Sequence, residues 1–160
     1  MSAWLFQSMP EDFRLADYLK TSPEKVLWKV TRYGKKMLIN DTVYIWQGVG
    51  KMKPPMSGIF ARGKIIKCPH NCSDYETSAE YWIDQVNALK SMSRVLVAIE
   101  ACTTSPAVSR EEFERDPVLS ECAIIAMSQG SNFIMTPEQA NRLNTLMTAS
   151  LASGAPSFSS

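Results

Sequence analysis

At 160 residues the chain has room for one domain, which at this size buries roughly 70% of the surface of its unfolded form and needs no metal or disulfide staple. It is 45% apolar and 21% charged, with no apolar run near the ~18 residues of a membrane span and no leader-like segment after Met1-Ser2-Ala3-Trp4. A membrane protein, a secreted disulfide scaffold and a disordered chain are set aside, and the cytoplasm is the expected compartment.

In chain order, the apolar run Trp4-Leu5-Phe6-Gln7 reads as a first strand. A short helix is expected over 12–20, with Leu15, Tyr18 and Leu19 on one side, and Thr21-Ser22-Pro23 breaks it. A second strand is expected over 26–30. After the turn signal Asn40-Asp41, residues 42–47 alternate with period two: Val43 and Ile45 face one way, Tyr44 and Trp46 the other. The Gly- and Pro-rich stretch 48–57 reads as an exposed loop, and 58–67 as a strand with Ile59, Ala61 and Ile65 opposite Arg62 and Lys64. The polar stretch 68–90 gives no clear period, and Tyr81-Trp82-Ile83 is its expected anchor in the core. A central strand follows over 94–100. Ser109-Arg110-Glu111-Glu112 and Thr136-Pro137-Glu138-Gln139 both have capping-box spacing, and the second opens a helix with Ala140, Leu143 and Met147 on one stripe. Residues 1–148 are expected to form the domain and 149–160, rich in Ala, Ser, Gly and Pro, a disordered tail. Strands with peripheral helices make the fold class α+β, a curled sheet or small barrel.

The charge is unevenly placed. Residues 20–67 hold eleven Lys or Arg against Glu24 and Asp41, a net +9, while 1–19 carry −2 and 68–160 carry −6. A basic face of this kind attracts polyanions, phosphate backbones above all, unless its bases are spent on distant acids. Catalysis is not signalled. His70 is the single histidine, the acids Glu111, Glu112, Glu114 and Asp116 read as a solvated helix face, and phosphate-cradling glycine motifs are missing. Cys68, His70 and Cys72 crowd a presumed loop, but no second ligand pair lies at zinc-finger spacing. No metal and no cofactor is expected.

Trp28, Tyr33, Tyr44 and Trp46 all fall within the basic segment. Aromatic faces hold extruded or single-stranded bases while Lys and Arg take the phosphates, although strand aromatics are more often core. At this point a resemblance enters. Trp4-Leu5-Phe6-Gln7, Trp28-Lys29-Val30-Thr31-Arg32-Tyr33 with Asn40-Asp41-Thr42-Val43-Tyr44-Ile45-Trp46, and Ser57-Gly58-Ile59-Phe60-Ala61-Arg62-Gly63 resemble successive motifs of EVE domains in the PUA-like superfamily. Tyr81-Trp82-Ile83-Asp84, Asp116-Pro117-Val118-Leu119 and Gln129-Gly130-Ser131-Asn132-Phe133 follow in the same order. Asn40 stands where the family usually has Gly, and residues 51–56 form an insertion at the rim of the pocket.

The resemblance implies a PUA-like pseudobarrel of about five to six mixed strands with peripheral helices. It also implies a non-catalytic reader, related to YTH domains, of a modified base, most often a modified cytosine such as 5-methylcytosine in DNA, flipped into an aromatic cage. Carried over by residue, Trp28 and Trp46 are the expected walls, with Tyr33 as a further aromatic. Ser8, Gln47, Ser57 and Asn132 are the expected partners of the base edge, and Arg32, Lys35, Lys36, Lys51 and Lys53 the expected phosphate contacts. A stand-alone reader has no output of its own, so a nuclease or other effector is an expected partner, and no membrane is. Two alternatives stay open: general RNA binding without preference for a modification, and a small-molecule binder or enzyme that reuses the pocket.

Overall fold

A computed structural model gives the architecture and describes residues 1–51, 56–127 and 129–152. The elements are β1 (Ala3–Ser8), α1 (Leu15–Leu19), β2 (Lys25–Lys29), β3 (Thr42–Gln47), β4 (Gly58–Cys72), α2 (Gln85–Leu89), β5 (Met92–Cys102), β6 (Val108–Ser109), α3 (Arg110–Arg115), α4 (Ala123–Ala126), β7 (Asn132–Met135) and α5 (Pro137–Ala152). The strands make one seven-stranded sheet among the described residues, in the order β2-β5-β4-β3-β1-β7, with the short β6 added to β4. β1 and β3 run parallel, and every other pairing is antiparallel.

Period two divides the sheet's side chains between two cores. Trp4 and Phe6 of β1, Val26 and Trp28 of β2, Val43 and Ile45 of β3 and Val95 and Val97 of β5 share one cluster, which α1 and Phe13 complete. Leu5, Tyr44, Trp46 and Ile59 point the other way, onto Phe113 of α3, Ile124 of α4 and Leu143 and Met147 of α5. The first cluster is the inside of a curled sheet and the second lies between the sheet's outer face and the helices. Both expected capping boxes form. Ser109 and Glu112 exchange hydrogen bonds at the start of α3, and Thr136 and Gln139 do so ahead of α5.

The two outer strands meet through one side chain. Asn132 of β7 is fully buried; its Oδ1 accepts the Thr31 amide at 2.8 Å, and its Nδ2 donates to the Lys29 carbonyl at 3.1 Å. Arg32 Nε donates to the Asn132 carbonyl at 2.9 Å. These bonds close the seam between β7 and the end of β2, so the curled sheet becomes a pseudobarrel. A buried amide with both ends satisfied is worth keeping, since stripping it would leave orphaned main-chain groups.

Two boundaries differ from the sequence expectation, and α4 is a helix that the sequence does not signal. β4 continues past Lys67, pairing His70 with Arg94 and Cys72 with Met92, so Cys68, His70 and Cys72 lie on a strand and not in a loop. The register slips there and the side chains are largely exposed, which erases the apolar alternation that marks a strand. The apolar stretch 122–127 contains the short helix α4. Residues 149–152 belong to α5, because Ala, Ser and Leu sustain a helix already under way; 153–160 lie outside the described residues. The turn before β3 forms as expected, with Asn40 at φ +73°.

Candidate functional site

A cleft of about 340 Å³ opens near the seam, at the lower end of the range of small-ligand pockets, roughly 300–1,000 Å³. Its walls come from four places: Gln7, Ser8 and Met9 at the end of β1, Trp28 and Lys29 at the end of β2, Trp82 ahead of α2, and Gln129, Gly130 and Ser131 ahead of β7, with Asp12 also at its edge. Two indoles therefore share one cavity. Phe6 stacks on Trp28 at 6.3 Å and 21°. Phe13 touches both indoles, edge-on to Trp28 at 6.1 Å and tilted against Trp82 at 4.9 Å. Phe13 is itself buried, so it fixes both rings while they make no ring contact with one another.

Two of the walls are held by specific bonds. Trp82 Nε1 donates to Asp74 Oδ2 at 3.1 Å, and Asp74 also accepts from Ser78 Oγ and the Glu76 amide. Burial pushes the Asp74 carboxyl above the usual carboxylate range, against those hydrogen bonds and the charge of Arg94, which pull it down. Arg94 is buried too, and its guanidinium donates to the carbonyls of Cys72, Lys90 and Asn87, so the excursion bearing Trp82 is gathered around a single arginine. Gln7 fastens the opposite wall: its amide donates to the Ser131 carbonyl at 2.9 Å and its Nε2 to the Gly130 carbonyl at 2.8 Å. Gly130 sits at φ +115°, a conformation that side-chain-bearing residues rarely adopt.

Ser8 is a buried polar group of the cleft that is left unspent. It is 8% exposed, and its Oγ has no hydrogen-bond partner among the described residues. A buried hydroxyl left unpaired costs on the order of 1–3 kcal/mol, so it favours a guest that supplies a partner.

The expected site residues divide sharply. Trp28 and Ser8 line the cleft. Arg32 stands beside it, its Nη2 3.9 Å from where a Cβ on Gly130 would lie, sandwiched between the rings of Tyr33 and Phe133 at 5.0 and 5.1 Å. Lys35 and Lys36 are exposed in the 3-10 turn Gly34–Lys36 just beyond, and Tyr33 packs on Trp4 at 5.7 Å, away from the cleft. Lys51 is exposed, and its amide donates to Glu11. Lys53 lies outside the described residues.

Trp46 is not a wall. It is 0% exposed, on the outer core, edge-on to Phe113 at 4.8 Å, so the sheet itself separates it from Trp28. Gln47 and Ser57 tie the end of β3 to the residues just ahead of β4: Ser57 Oγ donates to the Gln47 carbonyl, and Gln47 Nε2 to the Met56 carbonyl. Asn132 is committed to the seam. None of these four lines the cleft. Sequence reasoning missed Trp82 as a wall, together with Met9, Asp12, Lys29 and the segment 129–131. The run Gln129-Gly130-Ser131-Asn132-Phe133 is a signal in the sequence, but of its residues the resemblance offers only Asn132 as a base partner.

Three of the four thiols are held in the protonated form and so are poor nucleophiles. Burial raises Cys72 and Cys102, and burial with the Asp116 charge pushes Cys122 up to about 12. Among the described residues no three His, Cys, Asp or Glu side chains come together as metal ligands, and no helix is long and apolar enough to cross a membrane.

No family model matches the chain, and no curated protein matches it in sequence. Solved structures do. A hypothetical protein from Leishmania major is 15% identical with a TM-score of 0.65, over 93% of this chain and 96% of that one. Human THYN1, solved in complex with DNA containing 5-methylcytosine, is 17% identical with a TM-score of 0.60, over 92% and 98%. The fold is PUA-like. The YTH domain of Mmi1, solved in complex with RNA, is a more distant likeness at 12% identity and a TM-score of 0.54, over 96% and 83%. Identities of this order establish shared architecture and leave chemistry to the residues.

Proposed function

We propose that this PUA-like domain is an EVE-type reader that binds nucleic acid without transforming it and holds one extruded base, 5-methylcytosine in DNA above others, between Trp28 and Trp82. The observation that carries the reading is the cleft with two indoles on its wall and an unpaired Ser8 hydroxyl in its lining. The DNA-bound state of THYN1, on the same architecture, supports it. Stacking on aromatic faces is worth roughly 1–3 kcal/mol per base, comparable with the few kcal/mol that extrusion costs. Phosphate contacts supply the remainder, from Arg32, Lys35, Lys36 and Lys51, joined by Lys29 at the rim; Lys53 is proposed with them on its sequence position alone.

The base edge meets Ser8 and the main chain of 129–131, and the Asp12 carboxylate can accept from the exocyclic amine of cytosine, which thymine lacks. The methyl adds apolar contact worth ~25 cal/mol per Å², so discrimination against plain cytosine should be about 1–3 kcal/mol. A non-catalytic role fits a cleft whose buried hydroxyl, on Ser8, has no general base bonded to it among the described residues.

Titration of matched DNA and RNA oligonucleotides with and without 5-methylcytosine, followed by fluorescence anisotropy, tests the reading. The expected result is a preference for the methylated DNA that disappears in Trp28→Ala. Equal affinity for all ligands, unchanged in that variant, would remove the reader assignment. Tight RNA binding with steep salt dependence and indifference to methylation would replace it with general RNA binding, the reading that the RNA-bound YTH neighbour favours.

A further inference from the structure

The outer face of the sheet carries a second cavity, unrelated to the seam. It measures about 510 Å³ and lies between four adjacent strands and α5. Register places its polar residues side by side. Thr42 of β3 faces Lys64 of β4, Tyr44 faces Arg62, and Glu100 of β5 completes the row, with Asn144 of α5 above it. The two cations are only lightly engaged. Lys64 Nζ donates to the Thr42 hydroxyl at 3.1 Å, a neutral partner that uses one of its three donors. Arg62 Nη1 donates to Asn144 Oδ1 at 3.0 Å, and its Nε stands 3.7 Å from the half-exposed Glu100, so most of the guanidinium fork is unspent.

The second observation is Tyr44. It is 2% exposed and lines this cavity, so a buried phenol stands beside the two cations. Burial raises the phenol above its ordinary value, against the Arg62 charge, and Glu100 raises it further; the group therefore stays protonated and donates. Three donors of different type thus converge on one cavity, two of them cationic, with one acid at its edge. Carboxylates and phosphates both accept from such a set, but a tetrahedral anion with three free oxygens matches three donors from separate strand positions better than a planar one.

We propose that this cavity is a second ligand site, one that takes a phosphate group through Lys64, Arg62 and the Tyr44 hydroxyl. It does not depend on the base cleft, which lies on the inner core's side of the sheet.

Titration of the full chain with inorganic phosphate, followed by amide NMR shifts and with chloride at matched ionic strength as the control, tests it. Saturable shifts confined to the amides around Tyr44, Arg62 and Lys64 are expected with phosphate and not with chloride. Affinity should fall about tenfold in Lys64→Gln and in Tyr44→Phe, as expected for the loss of one hydrogen bond to a charged group. Both substitutions keep the packing atoms, and an unchanged melting temperature verifies the fold. A competing unmodified oligonucleotide identifies the source: displacement of phosphate assigns the site to a nucleic-acid backbone, and indifference assigns it to a small phosphorylated molecule. Shifts that do not saturate, that chloride reproduces, or that survive both substitutions overturn the proposal.

Discussion

Replacing Trp82 by alanine separates a wall of the cleft from a part of the core. The indole touches Phe13 at 4.9 Å and donates to Asp74 at 3.1 Å, but it is only partly buried. Its removal leaves Asp74 with Ser78 and the Glu76 amide, so the cost to folding should stay near 1–3 kcal/mol, the range for one lost hydrogen bond to a buried acceptor. The cost to binding is the loss of one stacking face, about 1–3 kcal/mol, or roughly 5- to 150-fold in affinity. Anisotropy with an oligonucleotide containing 5-methylcytosine measures the second quantity and urea denaturation the first. Trp82→Phe, which keeps an aromatic face and loses the N–H, should recover most of the affinity. If Trp82→Ala stays folded and binds as the natural chain does, Trp82 is not a wall and the two-indole slot is wrong.

Three further outcomes follow from the same geometry. Trp46→Ala should destabilise the fold by about 3–5 kcal/mol, as removal of a fully buried indole does, while the protein that remains folded binds the base with unchanged affinity; denaturation and titration in parallel read the two effects. Asn132→Ala should strand the Thr31 amide and the Lys29 carbonyl at the seam, costing on the order of 1–3 kcal/mol for each, with faster amide exchange at the end of β2. Asp116 gives a pH signature. Burial alone would raise its carboxyl, but hydrogen bonds from Arg142 and the amides of Leu119 and Val118, with the Arg142 charge, hold it below the usual range. Its contribution is therefore present above the ordinary Asp value of about 3.9 and is lost as pH falls through the lower folded value. Stability curves between pH 5 and 2 should fall more steeply for the natural chain than for Arg142→Gln. Asp74, raised by burial, adds a slope of opposite sign, which cancels in the comparison of the two.

Periodicity revealed the strands and hid their sides. Alternation in 42–47 correctly set Tyr44 and Trp46 against Val43 and Ile45, but period two does not say which face becomes the inside of a curled sheet. The resemblance sets Trp46 beside Trp28 as a second wall, whereas the parity of β3 turns it toward α3. The sequence marks Trp82 as an anchor but not as a wall. It lies in a stretch of 3-10 turn and short helix whose shape comes from Arg94 and Asp74, and such long-range polar bonds leave no period in the sequence. The capping boxes at Ser109 and Thr136 were readable because their chemistry is complete within four residues. The resemblance offers Gln47, Ser57 and Asn132 as partners of a base edge, but what they satisfy is main chain, and only the folded contacts reveal that.

A crystal structure of the chain bound to an oligonucleotide containing 5-methylcytosine tests the central claim most directly. The account predicts the methylated base outside its stack, between the indoles of Trp28 and Trp82, with the Ser8 hydroxyl bonded to its edge. A complex in which the cleft stays empty, or in which the base lies against any other surface, would contradict it.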